Sequence, residues 1–317
     1  MLVSRRTLFA WLGAGTAAAL TGCAVSDPRV SEPTEPHWSP TPTPSPTQQP
    51  EVQLAVQREA ELAARAASIM PIAGAGSKVV TAARDAHQAH VDQFGEHFGP
   101  IDPPTTPTPQ PAQGLAAAVT AWSEELTAVA AEHRSQALLV SGRLGLFFAS
   151  CAGFATVLAR QGTTFKVPIG SAEPDEFVPI SDTDALTLLV EQLHAARYAY
   201  QTALGAFQLS DERRTPLEAR DRAISTLRDR LSAALVDRGV APPPAEPAYE
   251  VPRPKDPAAA IALTRGVEQR LLPFVGAAVA GVAAGDDLRA VVVDELTATT
   301  ARLVAAGGGL PRWPGLA

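Results

Sequence analysis

Cysteine is nearly absent from this 317-residue chain: Cys23 and Cys151 are the only two, too few for a disulfide framework, so stability must come from packing. Aromatic residues make up only 5% of the sequence, and sustained alternation of apolar and polar residues is missing, which disfavours a sheet and leaves helices as the expected structure. No run of lysines or arginines occurs. With a formal net charge of -7 and a pI near 5.4, the chain lacks the basic field that phosphate binding needs, and nucleic acid is excluded as a partner. A glycine-rich phosphate loop, a nucleophile elbow, a paired zinc motif and a kinase signature are also missing, so the common catalytic classes that announce themselves in sequence are not indicated.

What is present begins at the N-terminus. Arg5 and Arg6 precede an apolar run over residues 8–20, the pattern of a signal peptide covering residues 1–22. That run falls short of the ~20 residues needed to span a bilayer core. It ends in Leu20-Thr21-Gly22-Cys23, which resembles the bacterial lipobox. The resemblance implies cleavage after Gly22, a diacylglyceryl thioether on Cys23, and a protein anchored to the outer face of the cell membrane. Several acyl chains, at ~0.8 kcal/mol per buried methylene, make such an anchor stable. The Arg5-Arg6 pair before Thr7, Leu8 and Phe9 also resembles a twin-arginine export signal. Residues 23–50 carry the lipidated cysteine and a tether rich in Pro, Ser and Thr; at about 3.1 Å per residue of extended chain it reaches roughly 80 Å. With Cys23 committed to lipid, Cys151 is the one thiol left. It lies in an apolar segment, 144–154, bounded by Arg143 and Arg160, and is expected to be buried in a core helix rather than to react or to cross a membrane.

The remaining residues divide into an N-terminal helical domain, 51–165, and a second helical unit, 180–317. In the first, helical periodicity covers about 51–70 and 77–98, interrupted at Pro71, Gly74 and Gly76; a proline-rich loop, 102–111, leads to a stripe through Leu115, Val119, Trp122, Leu126 and Val129, and a last helix ends near residue 161. In the second, four helices are expected near 183–209, 214–238, 257–284 and 286–306, the first capped by Asp182 or Asp184. The long connection 239–256 between two short-linked pairs is the connectivity of ferritin-like bundles.

Leu193-His194-Ala195-Ala196-Arg197-Tyr198-Ala199-Tyr200, Arg220-Asp221 and the tail Leu310-Pro311-Arg312-Trp313-Pro314-Gly315 together resemble a ferritin-like domain-of-unknown-function family of exported bacterial lipoproteins. The resemblance implies an all-α fold with a C-terminal ferritin-like four-helix bundle. It assigns no reaction.

A di-iron bundle requires two Glu-x-x-His pairs, whereas only Glu191-Gln192-Leu193-His194 exists, His194 being the only histidine after His133. At 100° per residue Glu191 points about 160° away from Leu193, outward. A reduced metal set of Glu191, His194, Glu268 and Glu295 is the alternative to a bundle without metal. In the first domain His87 and His90 share a helix face with Val80, Ala83 and Phe94, a spacing that suits metal ligation. His133 lies on its own helix's apolar stripe. If the second and third helices turn back on one another, a 1.5 Å rise per residue puts His87 about 16 Å and His133 about 30 Å from the turn, so the two are expected not to meet; Glu96 and His97 lie nearer the loop. No cofactor is expected, a metal ion being the alternative. The functional expectation is a non-catalytic binding or structural protein of the cell envelope that meets another envelope protein or a ligand, with a degenerate metal-handling or redox protein as the alternative.

Overall fold

The computed structural model describes residues 49–98, 114–174, 177–208 and 210–316. The expectations for the signal peptide, Arg5, Arg6, Cys23 and the tether up to residue 48 fall outside these residues, and the last two residues assigned to the tether, Gln49 and Pro50, are helical. Thr43–Ala317 forms one compact unit.

The fold is all-α, with eight α-helices among the described residues: α1 Gln49–Ile69, α2 Ser77–Phe98, α3 Leu115–Leu139, α4 Gly142–Ala159, α5 Asp182–Leu204, α6 Arg214–Asp237, α7 Pro257–Gly281 and α8 Arg289–Ala305. Two 3₁₀ turns, Met70–Ile72 and Gly74–Gly76, break the chain between α1 and α2 where Pro71 and the glycines stand. Ser181, rather than Asp182 or Asp184, caps α5: its Oγ accepts from the Asp184 N–H at 3.1 Å and donates to the Asp184 carboxylate at 2.6 Å. A serine satisfies one orphan donor of the first turn without crowding, worth about 1 kcal/mol. At α7, Asp256 does the same for Ala259, with Pro257 placed where its missing N–H is harmless.

α1 pairs with α2, and α3 with α4; α5 packs on α6 and on α7, and α7 on α8. α4 joins the two halves of the chain. It is long and apolar enough to cross a membrane, but 78% of it is buried inside the fold, between α3 on one side and α7 and α8 on the other. One apolar cluster accordingly runs from Val52 and Phe94 through Phe147 and Leu193 to Leu296 and Trp313, so the helices of 51–165 and of 180–317 share a core.

Arg289 reinforces that junction. Its buried guanidinium donates to the carbonyls of Ala137 (2.7 Å), Val140 (2.5 Å), Val282 (2.9 Å) and Val279, at the C-terminal ends of α3 and α7. Helix C-termini present unpaired carbonyls and a partial negative charge, which a cation satisfies. Burial lowers its pKa to about 10, still charged at neutral pH.

Candidate metal centre

Two carboxylate centres are buried in this fold, and their partners differ. In the C-terminal bundle Glu268 of α7 accepts hydrogen bonds from Tyr200 Oη of α5 (2.6 Å), from Arg220 Nε and Nη2 of α6 (2.8 and 3.1 Å) and from Arg302 Nε of α8 (3.3 Å). Glu295 of α8 accepts from Arg220 Nη1 (2.9 Å), Arg302 Nη2 (2.6 Å) and Thr299 Oγ1 (2.9 Å). Two glutamates therefore meet two arginines, and the formal charge closes to zero. Burial pulls the Arg220 pKa down, but Glu295 and Glu268 outweigh it and raise it, and burial together with Glu268 raises that of Tyr200, which keeps its proton.

This arrangement brings together two of the four residues expected as the reduced metal set and separates the others. Glu268 and Glu295 converge, but on guanidiniums. Glu191 is exposed, and His194, half-buried, lies against the Pro243 carbonyl of the connection between α6 and α7, where burial and then Arg228 lower its pKa. Arginine, which stays charged, occupies the place between the two carboxylates. The same fact shows that a di-metal ferritin-type site does not fit the residues present.

The second centre is built from α1, α2 and α3. Glu59 (α1), His87 and His90 (α2) are 0% exposed and His133 (α3) is 2% exposed. Glu59 Oε2 lies 2.7 Å from His87 Nδ1 and 2.7 Å from His90 Nδ1, and Glu59 Oε1 lies 2.8 Å from His133 Nε2. The three side chains Glu59, His87 and His90 each offer one ligand atom, all within 4.8 Å of one another. Phe154 stands edge-on to both α2 imidazoles, at 5.4 and 5.2 Å, and Phe94 and Phe148 flank His133 at 6.5 and 5.9 Å.

The hydrogen bonds constrain the protons. His90 Nε2 lies 3.0 Å from the Arg312 carbonyl oxygen, which can only accept, so this nitrogen donates. Burial pushes the Glu59 carboxyl up, but the charges of His90 and His87 and the bond from His133 outweigh it and hold Glu59 well below the usual carboxylate range. His87 is pushed down by burial, against the pull of Glu59, and its Nε2 is buried without a partner. The Cys151 thiol is pushed up by burial and then by Glu59, which keeps it protonated.

The expectation that His87 and His133 would not meet is corrected by this geometry. It assumed that α2 and α3 form a hairpin; α2 instead pairs with α1, α3 packs on α1 and α4, and Glu59 bridges the imidazoles from the helix between them. His97 takes no part in the cluster and lies 2.8 Å from both Gln93 Oε1 and Arg143 Nη2. Glu59 was not singled out from the sequence. The signal was there: it falls on the stripe Val52, Ala55, Val56, Leu62, Ala66, a carboxylate in the middle of an apolar face.

Residues 185–317 match the family model described as "Domain of unknown function (DUF4439)", less than half of the chain. No curated protein and no solved structure matches it. The Glu–Arg centre lies within the matched stretch, whereas Glu59, His87, His90 and His133 precede it.

Proposed function

We propose that this chain is an envelope lipoprotein, held by lipid on Cys23, whose helical body binds one divalent transition-metal ion through Glu59 Oε2, His87 Nδ1 and His90 Nδ1. The observation that carries the reading is the convergence of two imidazoles on one carboxylate oxygen, at 2.7 Å each, in a fully buried setting. Two imidazoles and a carboxylate suit the borderline ions, zinc or iron(II) rather than calcium or magnesium. Metal–ligand bonds of about 2.0–2.2 Å place tetrahedral ligands roughly 3.3 Å apart, so each of the two imidazole nitrogens needs to part from Glu59 Oε2 by only about half an ångström. Around them stands the support such ligands need: His133 holds the other carboxylate oxygen, and His90 donates its far nitrogen to a backbone carbonyl.

Lipid anchoring is supported by the Leu20-Thr21-Gly22-Cys23 run and by the tether that follows it. The connectivity of α5–α8 supports a ferritin-like bundle without its metal ligands, which makes the upstream centre the metal-handling part and a binding role the preferred one over catalysis. The test is the metal content of the mature chain, exported in its native host and purified without chelators or a histidine tag. Near-stoichiometric zinc, iron or manganese, lost in the Glu59→Gln and His90→Asn variants, is expected; metal-free protein that also takes up no added zinc would overturn the metal reading. Release of the Cys23→Ala variant from the membrane fraction is the corresponding expectation for the anchor, and unchanged membrane retention would contradict it.

A further inference from the structure

The tail that follows α8 lies far from the histidine helices in sequence but against them in space. Its first residue is pinned by two backbone hydrogen bonds, Leu310 N to Pro168 O (2.8 Å) and Gly170 N to Leu310 O (2.9 Å). Its end is pinned by a close backbone crossing. A Cβ on Gly276 of α7 would run into the Gly315 carbonyl, and Gly315, at φ +84°, has Gly276 Cα 3.0 Å from where its own Cβ would stand. Leu316 N closes a turn onto Trp313 O at 3.1 Å, and Arg312 pairs with Glu173 at 2.7 Å. Held at both ends, the tail presents two groups to one imidazole: the Arg312 carbonyl accepts a hydrogen bond from His90 Nε2–H, and the Trp313 ring, 1% exposed, sits 4.5 Å from the His90 ring and 5.3 Å from Phe147.

From this we infer that residues 310–316 are a positioning clip for the metal centre: the tail of the C-terminal bundle fixes the tautomer and the plane of His90, so that Nδ1 faces Glu59 and an incoming divalent ion. The inference rests on the proposed metal reading and adds that the ion's affinity is set from outside the three ligand-bearing helices. An imidazole whose far nitrogen donates to a carbonyl is locked with its lone pair toward the metal and made a stronger donor to it. Trp313 bars rotation of the ring and keeps water from competing for the carbonyl.

The test uses cobalt(II) as the probe, because its visible bands report ligand geometry. In a semisynthetic mature chain, the amide between Arg312 and Trp313 is replaced by an ester, which weakens that one carbonyl as an acceptor. Among the described residues the Trp313 N–H lost with it has no hydrogen-bond acceptor. A second variant, Gly276→Ala, forces the tail off α7 without touching any ligand. Both are expected to keep their helicity, to bind cobalt(II) about tenfold or more weakly in chelator competition, and to show altered bands. If the alanine variant fails to fold, the ester alone decides. Wild-type affinity and an unchanged spectrum in a folded variant would overturn the inference while leaving the metal reading intact. Absence of cobalt(II) binding in the unmodified chain would remove both.

Discussion

The two buried carboxylate centres of this protein solve the same electrostatic problem with different cations. Glu268 and Glu295 are neutralised by Arg220 and Arg302, which cannot give up their charge; Glu59 is neutralised by imidazoles, which can lose a proton and offer a lone pair in its place. A guanidinium between carboxylates locks four helices together and leaves nothing for a ligand to do. An imidazole on a carboxylate is a site a metal ion can enter by displacing protons. Burial alone therefore does not mark a functional centre; the exchangeability of the partner does.

The largest effect should come from breaking the rigid centre. Glu268→Gln leaves Arg220 buried with too little negative charge and is expected to cost about 3–5 kcal/mol in urea unfolding, whereas replacing Glu268 and Arg220 together with leucine and methionine should recover much of that loss. The matching change in the other centre, Glu59→Gln, should cost less, about 1–3 kcal/mol in the metal-free protein, because its partners are imidazoles, a group that need not carry charge at neutral pH, rather than guanidiniums, which must. Equal losses at the two positions would remove the distinction.

This comparison was only partly legible in the sequence. His87 and His90 were readable because their spacing of three places both on the apolar face of one helix. Glu59 was not, because its role depends on α1 lying between α2 and α3, a tertiary choice that helical periodicity does not encode. For the same reason His133 was placed too far away: the hairpin assumption was local, and the real partner of α2 is the helix before it. The helices of the C-terminal half, their long connection and the outward Glu191 were readable from period and spacing. That Arg220 and Arg302 would fill the space between Glu268 and Glu295 was not, since a pattern of apolar stripes treats arginine as a surface residue.

A smaller effect separates the centres by pH. The folded pKa of His87 is depressed, so its contribution to stability is complete above the unfolded value near 6.5 and is lost as pH falls from there through the folded value; Glu59, also depressed, adds a further loss at more acidic pH. Metal-free protein should thus become easier to unfold below about pH 6.5. In a folded His87→Asn variant the first of these losses should vanish, and its persistence would assign it elsewhere. The smallest expected effect concerns Cys151. Its thiol is buried and raised by burial and by Glu59, so alkylation of the native protein at neutral pH should be negligible and should track global unfolding in urea. Rapid native labelling would mean that the histidine centre opens far more readily than its packing implies.

The most direct measurement of the central claim is a zinc-loaded crystal examined by anomalous scattering at the zinc edge. The account predicts one peak per chain, within bonding distance of Glu59 Oε2, His87 Nδ1 and His90 Nδ1, and none between Glu268 and Glu295. A peak at the glutamate–arginine centre, or no peak at the histidines, would contradict it.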